Sequence, residues 1–142
     1  MHKIKILTIN NKYKTQFKRS KILYLCREVL NGENISEYDI SVIFVDEGFI
    51  IDLNKRFFNK NATTDVISFN LSEEKIEGEI YVNFDIIKDQ AEYYSVSFDD
   101  ELKRVIIHGL LHLAGYKDYK KKERKIMQEK EDLYLKVIER RR

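Results

Sequence analysis

The chain has 142 residues, 43% hydrophobic and 35% charged, with nine Tyr and eight Phe, a balance that suits a globular chain with a sizeable core and excludes a disordered one. Its longest uncharged apolar stretch, Val105 to Leu113, is broken by two histidines and falls far short of the roughly 20 residues of a membrane span, while a lone cysteine, Cys26, excludes an internal disulfide and a multi-Cys zinc site. The net charge is only +2, yet eleven Lys and Arg meet six Asp and Glu from Lys117 to Arg142, so a basic end follows a mildly acidic body.

That asymmetry suits contact with a polyanion such as RNA, and equally a solvated, charge-rich helix. Met1-His2-Lys3-Ile4-Lys5 lacks the apolar run of a signal peptide. The expectation is one cytoplasmic domain, residues 1–142, with no membrane segment and a monomeric state by default.

In chain order, Ile4 to Ile9 alternates with β-branched residues and reads as a strand ended by Asn10-Asn11. Phe17, Ile22, Leu25, Cys26 and Val29 recur near helical spacing, predicting a helix from about Thr15 to Leu30 that stops at Asn31-Gly32. Ile40 to Val45 is a second strand, Asp46 caps a short helix through Leu53, and Asn59 to Thr63 is a polar loop. Asp65 to Phe69 and Ile76 to Asn83 are strands joined by the Glu73-Glu74-Lys75 turn, a spacing that favours an antiparallel pair. Helices follow over Asp85 to Tyr94, from Phe98 through Leu113 with a stop at Ala114-Gly115, and over Lys121 to Ile138. The fold class is α+β (mixed α/β): a small four-stranded mixed sheet with helices packed on it.

His108-Gly109-Leu110-Leu111-His112 lies on the strongest helical segment. Histidines at i and i+4 share one helix face, so both imidazoles can reach one divalent ion. Gly115 permits a sharp turn, and Asp118, six residues after His112, can return a carboxylate to the same face. Two nitrogens, one carboxylate and an open fourth position form a catalytic zinc pattern, whereas structural sites are closed by four protein ligands. The plainer reading of the pair is two core or rim histidines. A zinc peptidase would carry glutamate beside the first histidine as general base, and that position here is Gly109.

His108 to Tyr116 resembles the signature of the YbeY-type endoribonucleases, the rRNA maturation factors. Leu53-Asn54, Thr64-Asp65-Val66-Ile67-Ser68-Phe69, Gly78-Glu79-Ile80-Tyr81-Val82 and Gln90-Ala91 resemble further blocks of that family in the same order, covering about Asp46 to Met127. The resemblance implies a zincin-like metal-site helix and one zinc ion per chain. It also implies metal-dependent cleavage of single-stranded RNA in rRNA maturation and ribosome quality control, with rRNA and the small ribosomal subunit as partners. Carried onto this sequence, the ligands and catalytic residues are His108, His112 and Asp118.

Two positions depart from the family pattern. Asp118 stands where histidine is usual, with Lys117 before it in place of Asp; the extra negative ligand would weaken zinc as a Lewis acid and widen metal choice toward manganese. Phe58 takes the place of an arginine thought to contact phosphate, and Arg56, two residues earlier, would reach the same side only with an altered backbone. These departures motivate a second reading, a ribosome-assembly binding factor that retains the fold without strong catalysis. A peptidase-type metallohydrolase is a third, weakened by Gly109.

Among other residues, Asp65 either caps a loop at the strand start or sits beside the cleft. Ser68 reads as a hydrogen-bonded strand residue and not a nucleophile, since His2 lies near the terminus. Cys26 reads as core. Tyr116 and Tyr119 flank the metal-proximal turn and offer rings for base stacking. Lys117, Lys120-Lys121-Lys122 and Arg140-Arg141-Arg142 are candidate phosphate contacts.

Overall fold

The computed structural model describes residues 2–140, Arg140 by its backbone alone. Strands β1 (His2–Thr8), β2 (Tyr38–Val45) and β4 (Ile76–Asn83) run parallel, and β3 (Val66–Asn70) pairs antiparallel with β4. The spatial order is β1-β2-β4-β3, a four-stranded mixed sheet. Alternation along β2 sorts its side chains between two clusters: Ile40, Val42 and Phe44 enter the larger core, while Ile43 and Val45 join a smaller one.

Four helices build the larger core with the sheet: α1 (Arg19–Gly32), α3 (Phe84–Tyr94), α4 (Phe98–Leu113) and α5 (Lys121–Arg140). Helix α2 (Glu47–Phe58) instead packs Ile50 and Leu53 against Ile43, Val45 and Ile67. Leu102, Val105, Ile106, Ile107, Leu110 and Leu111 of α4 are each at most 2% exposed, which makes α4 the central helix and leaves it little freedom to shift. Its start is fixed by Ser97, whose Oγ accepts from the Asp100 amide at 3.0 Å, and by three acids in the first turn. Gly109 brings α4 close to the sheet. A Cβ there would stand 2.7 Å from Ile80 Cγ2 and 3.1 Å from Val66 Cγ2.

The predicted order of elements and the antiparallel β3–β4 pair agree with the structure. The expected Thr15 start of α1 does not hold. Asn10 caps a separate 3-10 turn, Asn11–Thr15, by accepting from the Lys12 amide, and α1 begins at Arg19. Tyr13 in that turn is buried and donates to Asp85 Oδ1 at 3.0 Å, while Phe17 packs edge-on against Phe44, so tertiary contacts divide the segment. At the other end of α1 the left-handed residue is Asn34 (φ 60°), not Gly32. Gly32 remains helical under the Tyr134 ring, which a Cβ would overlap at 2.5 Å. Helix α2 extends past Leu53 to Phe58 and is ended by Asn59 in the left-handed region (φ 53°).

Candidate metal centre

His108 and His112 leave the buried helix α4 on its one partly open side, with side chains 26% and 29% exposed. Three backbone hydrogen bonds then reverse the chain: Ala114 to Leu110 (3.0 Å), Gly115 to His112 (3.1 Å) and Tyr116 to Leu111 (3.0 Å). Gly115 adopts φ +106°, a conformation L side chains rarely take, and the turn returns Asp118 to the histidines. The result places His108 Nε2 3.0 Å from His112 Nε2, with Asp118 Oδ2 3.2 Å from the first and 3.3 Å from the second. Four donors at 2.0–2.1 Å around a tetrahedral zinc ion stand about 3.3 Å apart, so the three contacts match its edges.

The hydrogen-bond partners fix which ring nitrogens carry hydrogen. His112 Nδ1 lies 3.0 Å from the Tyr116 carbonyl oxygen, which can only accept, so Nδ1 carries the hydrogen and Nε2 presents a lone pair. His108 Nδ1 lies 2.6 Å from Glu131 Oε2, which by the same logic accepts from it. In the neutral rings two nitrogen lone pairs and a carboxylate oxygen therefore face one another with no hydrogen between them, an arrangement that calls for a positive charge. Burial disfavours the His108 imidazolium, yet Glu131, with Asp65 and Asp118, outweighs it and raises the pKa above the ordinary value. The donor set fits a divalent cation, and His108, His112 and Asp118 are the group that could hold one among the described residues.

Both histidines are backed by further partners. Glu131 is buried and uses its second oxygen, Oε1, to accept from Arg104 Nη1 at 3.0 Å, while Arg104 Nη2 donates to Asp132 at 2.7 Å. On the His112 side, the Tyr116 hydroxyl donates to Glu33 Oε1 at 2.6 Å. Glu33 also accepts from Lys130 (3.2 Å) and from Tyr134. A carboxylate from the end of α1 thereby ties down the turn whose carbonyl orients His112.

Two grooves meet at the centre. One, about 440 Å³, is lined by Asp65, Gln90, Glu101, Arg104, His108 and Glu131. In it, Gln90 Nε2 donates to Glu101 Oε2 at 2.9 Å and to Asp65 Oδ2 at 3.4 Å. The other, about 560 Å³, runs past His112 and Asp118 to Asn54, Phe58, Lys60 and Tyr119. The Asn59–Thr63 loop on its wall is pinned by Asn54 Nδ2 donating to the Ala62 carbonyl at 2.9 Å and by Asn83 Nδ2 donating to Thr63 Oγ1 at 3.2 Å.

The structure sorts the remaining candidates. Asp65 lies beside the cleft, and Ser68 Oγ donates to the Gly109 carbonyl at 2.9 Å as a strand-to-helix bond. Cys26 is wholly buried, with its thiol pushed up to about 12. Arg56 stays on a regular helix, pairs with Asp52 at 3.0 Å and does not line either groove. Tyr116 spends its hydroxyl on Glu33, whereas Tyr119 is 84% exposed on the groove rim. Lys117 and Lys120 to Lys122 are exposed; of the Arg140 to Arg142 run, all but the Arg140 backbone falls outside the described residues. No helix among the described residues is long and apolar enough to cross a membrane.

Glu131 and Glu33 were not singled out from the sequence, and Asn54 entered only within the Leu53-Asn54 block. Glu131 left a trace, being a carboxylate on the apolar stripe Met127, Tyr134 and Ile138 of α5, where an acid needs a buried partner. Glu33 acts through long-range contacts that leave no local pattern, whereas Asn54 pins Ala62, eight residues on.

Comparison with known proteins places the chain in a family. The family model described as Endoribonuclease YbeY matches residues 7–139. An Endoribonuclease YbeY of Karelsulcia muelleri is 42% identical over 131 residues, covering 89% of this chain and 93% of that protein. One of Flavobacterium psychrophilum is 40% identical over 111 residues, covering 78% and 79%. A solution structure from Thermotoga maritima superposes with a TM-score of 0.64 at 37% identity, covering 95% of this chain and 88% of that one. Sequence blocks, architecture and near-complete coverage point the same way, and the chain belongs to the Endoribonuclease YbeY family.

Proposed function

We propose that this chain is a zinc-dependent endoribonuclease that cuts single-stranded RNA in rRNA maturation and ribosome quality control, working on the small ribosomal subunit in the cytoplasm as one domain spanning residues 1–142. The observation that carries the reading is the trio of facing acceptors, His108 Nε2, His112 Nε2 and Asp118 Oδ2, within 3.3 Å of one another at the meeting point of two grooves. A bound zinc ion would supply a positive centre that polarises a phosphoryl oxygen and lowers the pKa of water.

The chain's own residues prepare that chemistry. Glu131 and the Tyr116 carbonyl hold the two imidazoles in the tautomer that presents Nε2. Asp118 adds the anionic donor and, at 32% exposure, leaves the centre open to a substrate. Lys60 on the groove wall, with the exposed Lys117 and Lys120 to Lys122, supplies positive charge for an RNA backbone.

The test is cleavage of a single-stranded oligoribonucleotide by protein freed of contaminating nucleases. Activity should vanish with a chelator, return with added zinc and be lost in His112→Ala. Cleavage indifferent to both the chelator and the substitution would overturn the proposal. Tight, salt-sensitive binding to the ribosomal subunit without metal-dependent turnover would favour the assembly-factor reading, motivated by Asp118 and Phe58.

A further inference from the structure

Phe58 lies on the wall of the 560 Å³ groove that also holds His112 and Asp118, and its ring is 47% exposed. The ring is open to the groove and offers an occupant an apolar face. One face of the ring is already supported: Phe58 stacks on Phe69 at 5.9 Å between centroids with only 13° between planes. Phe69 is braced edge-on by Phe57 (5.1 Å) and Tyr81 (5.9 Å), and Tyr81 stacks on Phe49 at 5.8 Å. This ladder fixes the ring before any ligand arrives, which lowers the ordering cost of binding. Asn59, in the left-handed conformation, turns the chain immediately after Phe58, and Lys60 then lines the same wall.

From this juxtaposition we infer that Phe58 is a base-stacking platform, holding one nucleobase of a single-stranded RNA whose backbone passes the metal centre. The inference rests on the RNA-cleaving reading above and names a contact within its substrate. A phosphate gains nothing from a phenyl face, whereas every nucleobase has a π-face to lay against one. Lys60 offers the neighbouring phosphate a cation, so ring and ammonium together match the alternation of base and phosphate along a strand. Tyr119, 84% exposed on the same groove, gives the strand a second ring to meet. Tyr93 provides the internal control, since it is more exposed (82%), lies outside the ladder and lines neither groove.

The experiment uses zinc-supplemented full-length protein and a short single-stranded oligoribonucleotide with 2-aminopurine moved through successive positions. Stopped-flow fluorescence reads binding before any cleavage. One position should be quenched on binding to the wild type, and Phe58→Leu should remove that quench and weaken binding about tenfold. Tyr93→Ala should change neither. An abasic residue at that position should weaken the wild type by a similar factor and leave Phe58→Leu no weaker than before. Phe58→Trp should retain the quench, which keeps the proposal open to test if the leucine variant folds poorly. Wild-type affinity in Phe58→Leu, or an abasic penalty equal in wild type and variant, would overturn the inference and assign the ring to another partner. Stacking without cleavage would overturn the nuclease reading alone, while failure of the wild type to bind RNA would overturn both.

Discussion

Glu131 on α5 accepts the Nδ1 hydrogen of His108 on α4 at 2.6 Å, joining the last helix of the fold to the first histidine of the candidate metal centre. Because Glu131 also accepts from Arg104, its position is set from two directions. Glu131→Ala is expected to weaken zinc binding about 10–100-fold while His108, His112 and Asp118 all remain. Competition titration against a chromophoric chelator measures this, and unchanged affinity would mean that His108 is oriented by other contacts.

Metal content separates Asp118 from a bystander. The wild type should carry about one zinc per chain, and Asp118→Ala should lose or loosen it with little change in melting temperature of the metal-free protein, since Asp118 is partly exposed on a turn. Elemental analysis of both proteins decides the matter. Full zinc retention in the variant would remove Asp118 from the donor set.

Gly109 is needed for the approach of α4 to the sheet. Gly109→Ala gains about 1 kcal/mol of helix propensity, but its methyl would stand 2.7 Å from the Ile80 side chain. Overpacking of that kind costs about 1–3 kcal/mol, so the variant should be less stable, with a lower urea midpoint and an unchanged slope. Gly109→Glu should be worse still and should not create a peptidase, because this position faces Ile80 and Val66 and not the open side of the centre.

Two buried glutamates should give opposite pH signatures. Burial alone would raise the pKa of Glu33, but hydrogen bonds from Tyr116, Tyr134 and Lys130 outweigh it and hold the value below the ordinary one. Its contribution, about 2 kcal/mol for charged hydrogen bonds, is therefore present at neutral pH and lost as pH falls below about 4.3 through the folded value. Glu33→Gln should be destabilised at pH 7, with the deficit shrinking in acid. Glu101 shows the reverse. Burial, aided by Asp65 and Glu131, raises its pKa against the opposing effects of Gln90 and Arg104. Its ionisation opposes folding as pH rises from about 4.3 toward the folded value, so Glu101→Gln should be more stable than wild type at neutral pH and lose that advantage in acid. Thermal melts across pH check both, and parallel profiles for the two variants would refute this assignment.

Much of the fold was legible because its elements carry local signatures. The acids Asp99, Asp100 and Glu101 announced α4, Gly115 announced its end, and the short link before Ile76 announced the β3–β4 hairpin. The parallel neighbours of β2 were not legible, since strand partners distant in sequence leave no mark on either strand. Nor was the break between Thr15 and Arg19, where a buried Tyr13 and Phe17 override helical periodicity. At the centre, His108, His112 and Asp118 could be read because one helix and one turn bring them together within eleven residues. Glu131 and Glu33 come from α5 and the end of α1, and only the packed structure brings them near.

The turn after Gly115 divides the labour among the three donors. His108 and His112 ride on a helix locked into the core, so their spacing is as rigid as the packing of α4. Asp118 rides on the turn after Gly115, with its side chain 32% exposed. The donor most free to change in length and chemistry is thus the one whose replacement disturbs the interior least. Metal preference, which follows the hardness of the donors, can drift by single substitutions at this turn while the scaffold stays constant.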